Sequence, residues 1–186
     1  MTNRPAELTS AKVIAVSSGL SHRFSKRPQL SIRLLEGLGV EGDAHMGERV
    51  KHRSRARYDP MLPNLRQVHL VDTGMVADAA AKGFALAPGA IGENILLDGP
   101  RLIDLPRDTI VTIGTARLRL TGLRNPCIQM DRFAPGLMAA MLDQRPDGEL
   151  RRLAGVMAVV EAGGDVAAGD MAEFELPDLA LPLKPV

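Results

Sequence analysis

The sequence is poor in cysteine, in aromatic residues and in net charge, and each shortage excludes a class of protein. Its one cysteine, Cys127, cannot form an internal disulfide, so the fold does not depend on oxidising surroundings. Four Phe, one Tyr and no Trp argue against a platform on which nucleic-acid bases stack. With 23 Lys and Arg against 22 Asp and Glu, the net charge of +1 gives no general attraction to nucleic acid or to an anionic membrane.

Long apolar runs are also missing. No stretch approaches the roughly 18 residues that a membrane span requires, and no apolar segment follows the first arginine as it would in a secretion signal. The sequence therefore predicts a cytoplasmic protein with no membrane partner. Its 186 residues, 45% apolar and 24% charged, fit one globular domain with a sizeable core.

Short apolar segments separated by Gly, Pro and Asp dominate the chain and predict strands. The predicted strands are 12–17, 67–71, 93–97, a hairpin of 109–113 with 116–121, and a hairpin of 156–160 with 171–176. Helices are predicted over 73–82, capped by Asp72 or Thr73, over 136–143 and over 149–154. Many short strands with few helices favour a mainly β fold: a closed antiparallel β-barrel with a few peripheral helices.

The segment Thr121-Gly122-Leu123-Arg124-Asn125-Pro126-Cys127 carries the strongest chemical signal. Pro126 fixes its own backbone and keeps Asn125 out of the helical region, so Cys127 should point in one defined direction. The permanent charge of Arg124, three residues earlier, would stabilise a thiolate, the form that attacks sulfur or binds a soft metal. The alternative is a buried structural cysteine that behaves as a small hydrophobic residue, and the two readings are evenly balanced.

Two glycine-rich clusters are further candidates for a site. Residues 39–47 place Asp43 and His45 among glycines that allow close backbone approach, and residues 89–95 place Glu93 and Asn94 at the start of a strand. Each cluster also fits an ordinary turn, which is the better reading of either one alone. Taken jointly with Cys127, they predict one pocket built from distant parts of the chain.

Segment 44–64 lacks a clear period and is long for a loop, and cations alternate along its part 49–57. In an extended chain Lys51, Arg53 and their neighbours would share one face and grip a phosphate group, with His52 beside them. A solvated basic face explains the pattern about as well. No His-x-x-x-His pair, phosphate-binding loop or dinucleotide fingerprint is present in the sequence.

In their order along the chain, these motifs resemble the MOSC family, named for the C-terminal domain of molybdenum cofactor sulfurases. The matching elements are GlyValGluGlyAspAlaHis at 39–45, GlnValHisLeu at 67–70, GlyAlaIleGlyGluAsnIle at 89–95, ThrGlyLeuArgAsnProCys at 121–127, AlaGlyValMetAlaValVal at 154–160, GlyGlyAspVal at 163–166 and Gly169-Asp170. The resemblance spans about residues 12–176. It predicts a MOSC domain over 12–176, an N-terminal extension over 1–11 and a proline-containing tail over 177–186.

The resemblance implies a β-barrel that binds the molybdenum cofactor (molybdopterin), with Cys127 as molybdenum ligand or sulfur carrier. Stand-alone relatives are similar to reductases of N-hydroxylated compounds, including toxic base analogues, in which a lysine and the arginine before the cysteine take part. Arg124 matches that arginine by spacing, and Lys26 matches the lysine by its place in the N-terminal loop. Pyridoxal phosphate, which fused relatives bind on another domain, is not expected on this chain.

Three functions therefore remain open from the sequence. The first is a reductase or sulfur-transfer enzyme, with Asp43, His45, Glu93 and Asn94 lining the cofactor pocket and Lys51, His52 and Arg53 at the cofactor's phosphate. It would need a redox partner to supply electrons. The second is a non-catalytic carrier that delivers sulfur or cofactor to an acceptor protein. The third is an anion- or nucleic-acid-binding module with a structural cysteine, although the balanced charge and scarce aromatics count against nucleic acid.

Overall fold

A computed structural model describes residues 9–50, 59–146 and 148–186 of the chain. Its strands are β1 (Thr9–Ser18), β2 (Arg27–Gln29), β3 (Ser31–Leu35), β4 (Gly39–Val40), β5 (Val68–Asp72), β6 (Ile95–Asp98), β7 (Ile110–Ile113), β8 (Ala116–Leu123), β9 (Leu142–Gln144), β10 (Leu150–Arg152), β11 (Val156–Ala162), β12 (Gly164–Ala167) and β13 (Met171–Glu175). The helices of the described residues are α1 (Thr73–Ala81), α2 (Ile128–Phe133) and α3 (Leu137–Ala140), with a 3₁₀ turn at Leu102–Asp104.

Seven of these strands close into a barrel in the order β13–β7–β8–β11–β5–β6–β1, and β13 pairs with β1 to complete the ring. The pairings are antiparallel except for β5 with β6, which run parallel because the chain returns between them through α1. The predicted mainly β, closed barrel with few helices is confirmed, and the parallel pair makes the barrel mixed.

Alternating side chains explain why the strands bury one face. In β8, Leu118 and Leu120 point inward and are fully buried, whereas Arg117 and Arg119, which alternate with them, lie partly exposed. Strand β5 is instead buried at every position, because α1 packs against it from outside the barrel. Burial on both faces is typical of a strand that is covered by a helix.

The predicted hairpin between 156–160 and 171–176 is wrong. Strand β11 pairs with β5 and β8, whereas β13 pairs with β7 and β1. The Gly163-Gly164 turn leads instead into β12, which pairs with β3 in a small sheet beside the barrel. A turn motif fixes where the chain reverses, but the partner of each strand is decided by long-range packing.

The helix predicted over 73–82 is confirmed as α1, with Asp72 as its N-cap. The second prediction, 136–143, holds only for the short α3, since 142–144 form β9. The third, 149–154, is wrong: residues 150–152 form β10, which pairs with β9. Helix α2 was not predicted from the sequence.

The C-terminal segment lies along the barrel and reaches β8. Leu123 in β8 donates a backbone hydrogen bond to the Lys184 carbonyl and accepts one from Val186, and Leu183 is buried. Added bulk at Gly122 would collide with Lys184 and Val186, so the glycine permits this close contact. No helix within the described ranges is long and apolar enough to cross a membrane.

Candidate functional site

The site begins where β8 ends. Cys127 is the N-cap residue of α2, in an extended backbone conformation, and it is half-buried. Its side chain makes no capping hydrogen bond, and its sulfur lies 3.9 Å from Gln129 Oε1. The buried Pro126 precedes it, and the sequence analysis expected this proline to hold Cys127 in one direction. The thiol is therefore held in place by the backbone while its sulfur stays available for chemistry.

Arg124 is buried close to this thiol. Its guanidinium donates a hydrogen bond to the Ile91 carbonyl and lies 5.6 Å from the centre of the Phe24 ring. Burial lowers the pKa of Arg124, while the charges of Cys127 and Glu93 act in the opposite direction. Arginine starts from so high a pKa that it remains a cation. A fixed positive charge thus lies beside the sulfur.

His69, the second residue of β5, also contacts Arg124. Its Nε2 lies 2.8 Å from the Ala154 carbonyl, and its Nδ1 lies 3.5 Å from Arg124 Nη1. Burial first, and the Arg124 charge second, lower the pKa of His69 well below its ordinary value, so the ring is neutral. The tautomer that satisfies both contacts carries its proton on Nε2 and accepts at Nδ1.

A second cluster of polar side chains centres on Asp43. Its Oδ2 accepts hydrogen bonds from Lys26 Nζ at 2.8 Å and from Asn94 Nδ2 at 3.2 Å, and its Oδ1 accepts the His45 backbone N–H at 2.9 Å. Burial favours the neutral acid, but the His45 hydrogen bonds and the Lys26 charge outweigh it and lower the pKa of Asp43. Asp43 is therefore an ionised carboxylate that fixes the position of Lys26.

Lys26 is the cation that joins the Asp43 cluster to Arg124. Only 6% of its side chain is exposed, and this burial lowers its pKa despite the ion pair with Asp43. The Arg124 charge lowers that pKa further. The two residues contact the same turn, because Arg124 donates to the Ile91 carbonyl and the Lys26 backbone N–H donates to the Gly89 carbonyl at 2.8 Å. The loop that carries Lys26 rests on the turn 89–92, where Gly89 and Gly92 have positive φ and leave room for the backbone of Lys26 and Phe24.

Glu93 is the residue that follows the turn 89–92 in the chain. One carboxylate oxygen accepts the Gly89 backbone N–H, while Oε2 is buried without a hydrogen-bond partner among the described residues. Burial raises the pKa of Glu93, and its own and neighbouring backbone N–H groups and Arg124 oppose the rise. A buried carboxyl with a raised pKa beside two cations is characteristic of functional sites.

A cleft of about 950 Å³ opens beside these groups. Lys26 and Phe24 line it from the β1–β2 loop, and Gln129 and Phe133 line it from α2. The two segments meet through the Phe24 and Phe133 rings, whose centres are 5.6 Å apart. The half-buried Cys127 lies at the start of α2, two residues before Gln129.

A comparison of the sequence with protein-family models identifies the family. The MOSC domain model matches residues 43–173, which is most of the chain. The chain belongs to the MOSC domain family. None of the curated proteins compared matches its sequence.

Several solved structures share this fold. The YuaD protein from Bacillus subtilis matches with a TM-score of 0.76 at 23% identity, over 92% of this chain and 99% of that one. YiiM from Geobacillus stearothermophilus matches with a TM-score of 0.65 at 17% identity, over 92% and 79%. YiiM from Escherichia coli matches with a TM-score of 0.60 at 19% identity, over 95% and 73%.

Most of the site residues predicted from the sequence of this MOSC chain converge at one end of the barrel. They are Cys127, Arg124, Lys26, Asp43, His45, Glu93 and Asn94, joined by the hydrogen bonds and charge interactions given above. Lys51, His52 and Arg53, predicted at the cofactor's phosphate, lie outside the described residues.

Sequence reasoning missed His69 and Phe24 as members of the site. A usable signal for His69 was present, because it interrupts the apolar strand GlnValHisLeu and a buried polar side chain needs partners. Phe24 gave no such signal, since it lies in a loop without a period. Its position depends on the glycine turn at 89–92, which only the folded chain brings next to it.

Proposed function

We propose that this MOSC chain binds the molybdenum cofactor and uses the Cys127 thiolate as a molybdenum ligand. With a redox partner supplying electrons, it would reduce N-hydroxylated compounds to the parent amines or amidines. The observation that carries the proposal is that Lys26, from the β1–β2 loop, and the segment of Arg124 and Cys127 meet at one turn. Arg124 donates to the Ile91 carbonyl of that turn, and the Lys26 backbone N–H donates to its Gly89 carbonyl at 2.8 Å.

The donor set fits the cofactor. A thiolate is a soft ligand suited to molybdenum, and the half-buried Cys127 offers one such ligand, while the pterin would supply others. The cations Lys26 and Arg124 complement the negative charge of a thiolate and of an anionic cofactor. The unpartnered Glu93 Oε2 is a buried acceptor that a polar N–H of a bound molecule would satisfy.

The reaction that fits this site converts an N-hydroxy group, two electrons and two protons into an amine and water. Bound molybdenum would supply the two-electron chemistry. The chain's own groups would supply charge and protons: Arg124 stabilises the thiolate, and Lys26 Nζ holds a proton at the wall of the cleft. Because burial lowers the pKa of Lys26, its ammonium gives up that proton more readily than an exposed lysine would.

The test is to purify the protein from a host supplied with molybdate and to measure molybdenum per chain. Reduction of an N-hydroxylated base analogue by reduced methyl viologen is then followed without oxygen. We expect bound molybdenum and amine product from the wild type and from Arg33→Gln, an exposed control in β3, but no product from Cys127→Ser.

Other outcomes distinguish the alternatives. Molybdenum or sulfur that is bound and passed to an acceptor protein, with no reduction, would indicate the carrier. Binding of anions or nucleic acid that is unchanged in Cys127→Ser, with no molybdenum bound, would indicate the binding module and contradict the proposal.

A further inference from the structure

His69 is a polar ring among apolar neighbours in the barrel wall. The β5 segment Val68-His69-Leu70-Val71 places one imidazole between side chains that are fully buried. His69 itself is only 4% exposed, and a buried polar ring costs stability unless its nitrogens have partners. A ring this deeply buried acts on other groups of the protein, so its partners indicate its role.

The Nε2 of this ring is fixed by the segment that precedes β11. It lies 2.8 Å from the Ala154 carbonyl oxygen, and because a carbonyl only accepts, Nε2 carries the proton. Burial first, and the Arg124 cation second, lower the pKa of His69 and outweigh the Ala154 and Gly92 carbonyls, which act in the opposite direction. The ring is therefore neutral, and its Nδ1 has a lone pair that accepts.

That lone pair faces Arg124. Nδ1 lies 3.5 Å from Arg124 Nη1, and the same Nη1 donates to the Ile91 carbonyl. A terminal guanidinium nitrogen carries two hydrogens, so these two acceptors use both and fix the plane of the group. The backbone N–H of Arg124 also donates to the Gly155 carbonyl at 3.0 Å, next to the Ala154 contact of His69. One segment thus holds both the imidazole and the arginine.

We propose that His69 is a positioning residue, whose Nδ1 holds the Arg124 guanidinium in one orientation beside Cys127. Without that acceptor, Nη1 keeps only the Ile91 carbonyl and the group can rotate, which moves its charge relative to the sulfur. The inference deepens the proposed function and rests on it for the reaction that Arg124 serves. The effect of His69 on the thiol is a separate claim, measurable in protein without cofactor.

Two substitutions separate the roles of the two ring nitrogens. In His69→Gln, the amide nitrogen takes the place of Nε2 and still donates to Ala154, but the acceptor at Nδ1 is lost. In His69→Asn, the amide oxygen takes the place of Nδ1 and still accepts from Arg124, but the Ala154 carbonyl loses its donor. A histidine that only stabilised the barrel would slow the thiol in proportion to the stability lost.

The main readout is the rate at which iodoacetamide alkylates Cys127 at pH 7, in the full chain purified from a host grown without molybdate. We expect His69→Gln to react about threefold more slowly than the wild type, the size of effect that one modest hydrogen bond has. His69→Asn should react at nearly the wild-type rate but unfold at lower urea concentration. In an Arg124→Gln background, His69→Gln should slow the reaction no further, since it acts through the arginine.

Gln67→Ala is the matched structural control. Gln67 is buried just before β5, where its amide donates to the Gly37 carbonyl at 2.7 Å and accepts the Val160 N–H at 2.9 Å. Its loss should lower stability, as in His69→Asn, and leave the alkylation rate unchanged. Nitrogen-15 NMR of the histidine rings in the wild type should show His69 as a neutral ring with its proton on Nε2.

An unchanged alkylation rate in His69→Gln would overturn the proposal, as would equal slowing in Gln67→Ala or a proton found on Nδ1. If His69→Asn does not fold, the comparison of His69→Gln with Gln67→Ala decides. Slower alkylation in His69→Gln, in a protein that never takes up molybdenum, would support the positioning role while contradicting the proposed function. Bound molybdenum and amine product in the wild type, with His69→Gln as reactive as the wild type, would do the reverse.

Discussion

Arg124 places a cation close to Cys127. Its guanidinium is buried and donates to the Ile91 carbonyl, so the charge is fixed in position. Lys26 is already paired with the Asp43 carboxylate. A cation beside a thiol favours the thiolate form, which gives a physical reason for a reactive cysteine at this position.

We therefore expect native Cys127 to react with iodoacetamide at neutral pH and to react about tenfold more slowly in Arg124→Gln. The loss of a buried charge beside the sulfur would correspond to about 1.4 kcal/mol of thiolate stabilisation. Arg124→Lys, which keeps a cation, should recover part of the rate, and Arg33→Gln should leave it unchanged. A thiol that reacts only after denaturation would identify Cys127 as a structural residue.

The lowered pKa of Asp43 predicts that the free energy of unfolding depends on pH. Because its pKa is lower in the folded protein than in the unfolded chain, it stabilises the fold above the ordinary aspartate pKa of about 4. That contribution is lost progressively as the pH falls from there toward the lower folded value. Asp43→Asn, which leaves Lys26 buried without a counter-charge, should cost about 3 kcal/mol at pH 7.

The free energies of unfolding in urea at pH 7 and at pH 3 would check this prediction. The difference in the free energy of unfolding between the wild type and Asp43→Asn should be smaller at pH 3 than at pH 7. Asp108→Asn is the control, because Asp108 also pairs with arginines but is 36% exposed and should cost less than about 1 kcal/mol. A gap that is independent of pH would mean that Asp43 acts by packing alone.

At the level of elements, the best-defined junction is the one between β5 and α1. Asp72 ends the strand and caps the helix: its Oδ1 accepts the Met75 N–H, and its Oδ2 accepts the Leu102 N–H from the 3₁₀ turn. Arg101 also approaches it, with Nε 3.2 Å from Oδ1. One buried carboxylate thus joins a strand, a helix and a turn.

Asp72→Ala should lower the free energy of unfolding by about 2–4 kcal/mol, since it removes a helix cap and leaves buried donors without acceptors. Asp78→Ala is a matched control, because it removes the exposed partner of the same arginine and should cost less than about 1 kcal/mol. Urea denaturation would measure both. Equal losses would show that Arg101, rather than the cap, is the source of the stability.

Local signals explain which elements the sequence predicts correctly. Helix α1 has a cap, an alanine-rich body and the terminal Gly83, and the β7–β8 hairpin has alternation around a glycine turn. Strand β10 contains leucine and arginine, which favour helices, yet it pairs with β9 and so adopts the strand. Helix α2 begins two residues after Pro126 and has six residues, too few to show a helical period.

The residues of the site divide in the same way, into those with a local sequence signal and those without one. Asp43, Glu93, Asn94 and Cys127 lie in motifs with glycine or proline nearby, and such motifs are visible in a sequence. Phe24 has no local signal, and the signal at His69 does not identify its partners. Their roles arise because the barrel brings the β1–β2 loop, β5 and α2 together, and no pattern within one segment contains that information.

At the scale of the whole molecule, the barrel brings separate segments of the chain together at one end. The β1–β2 loop supplies Lys26, the turn after β4 supplies Asp43, the start of β6 supplies Asn94, and the end of β8 supplies Arg124. The hydrogen bonds among these groups join loops that are far apart in sequence. A ligand bound there would contact several strands of the closed sheet at once, so the site has little freedom to rearrange.

The most direct test of the central claim is X-ray absorption at the molybdenum edge of cofactor-loaded protein. If the Cys127 thiolate binds the metal, the spectrum of Cys127→Ser should show one sulfur ligand fewer than that of the wild type, while the pterin content stays the same. Identical sulfur coordination in the two proteins would contradict the account, because Cys127 would then not be a ligand of the molybdenum.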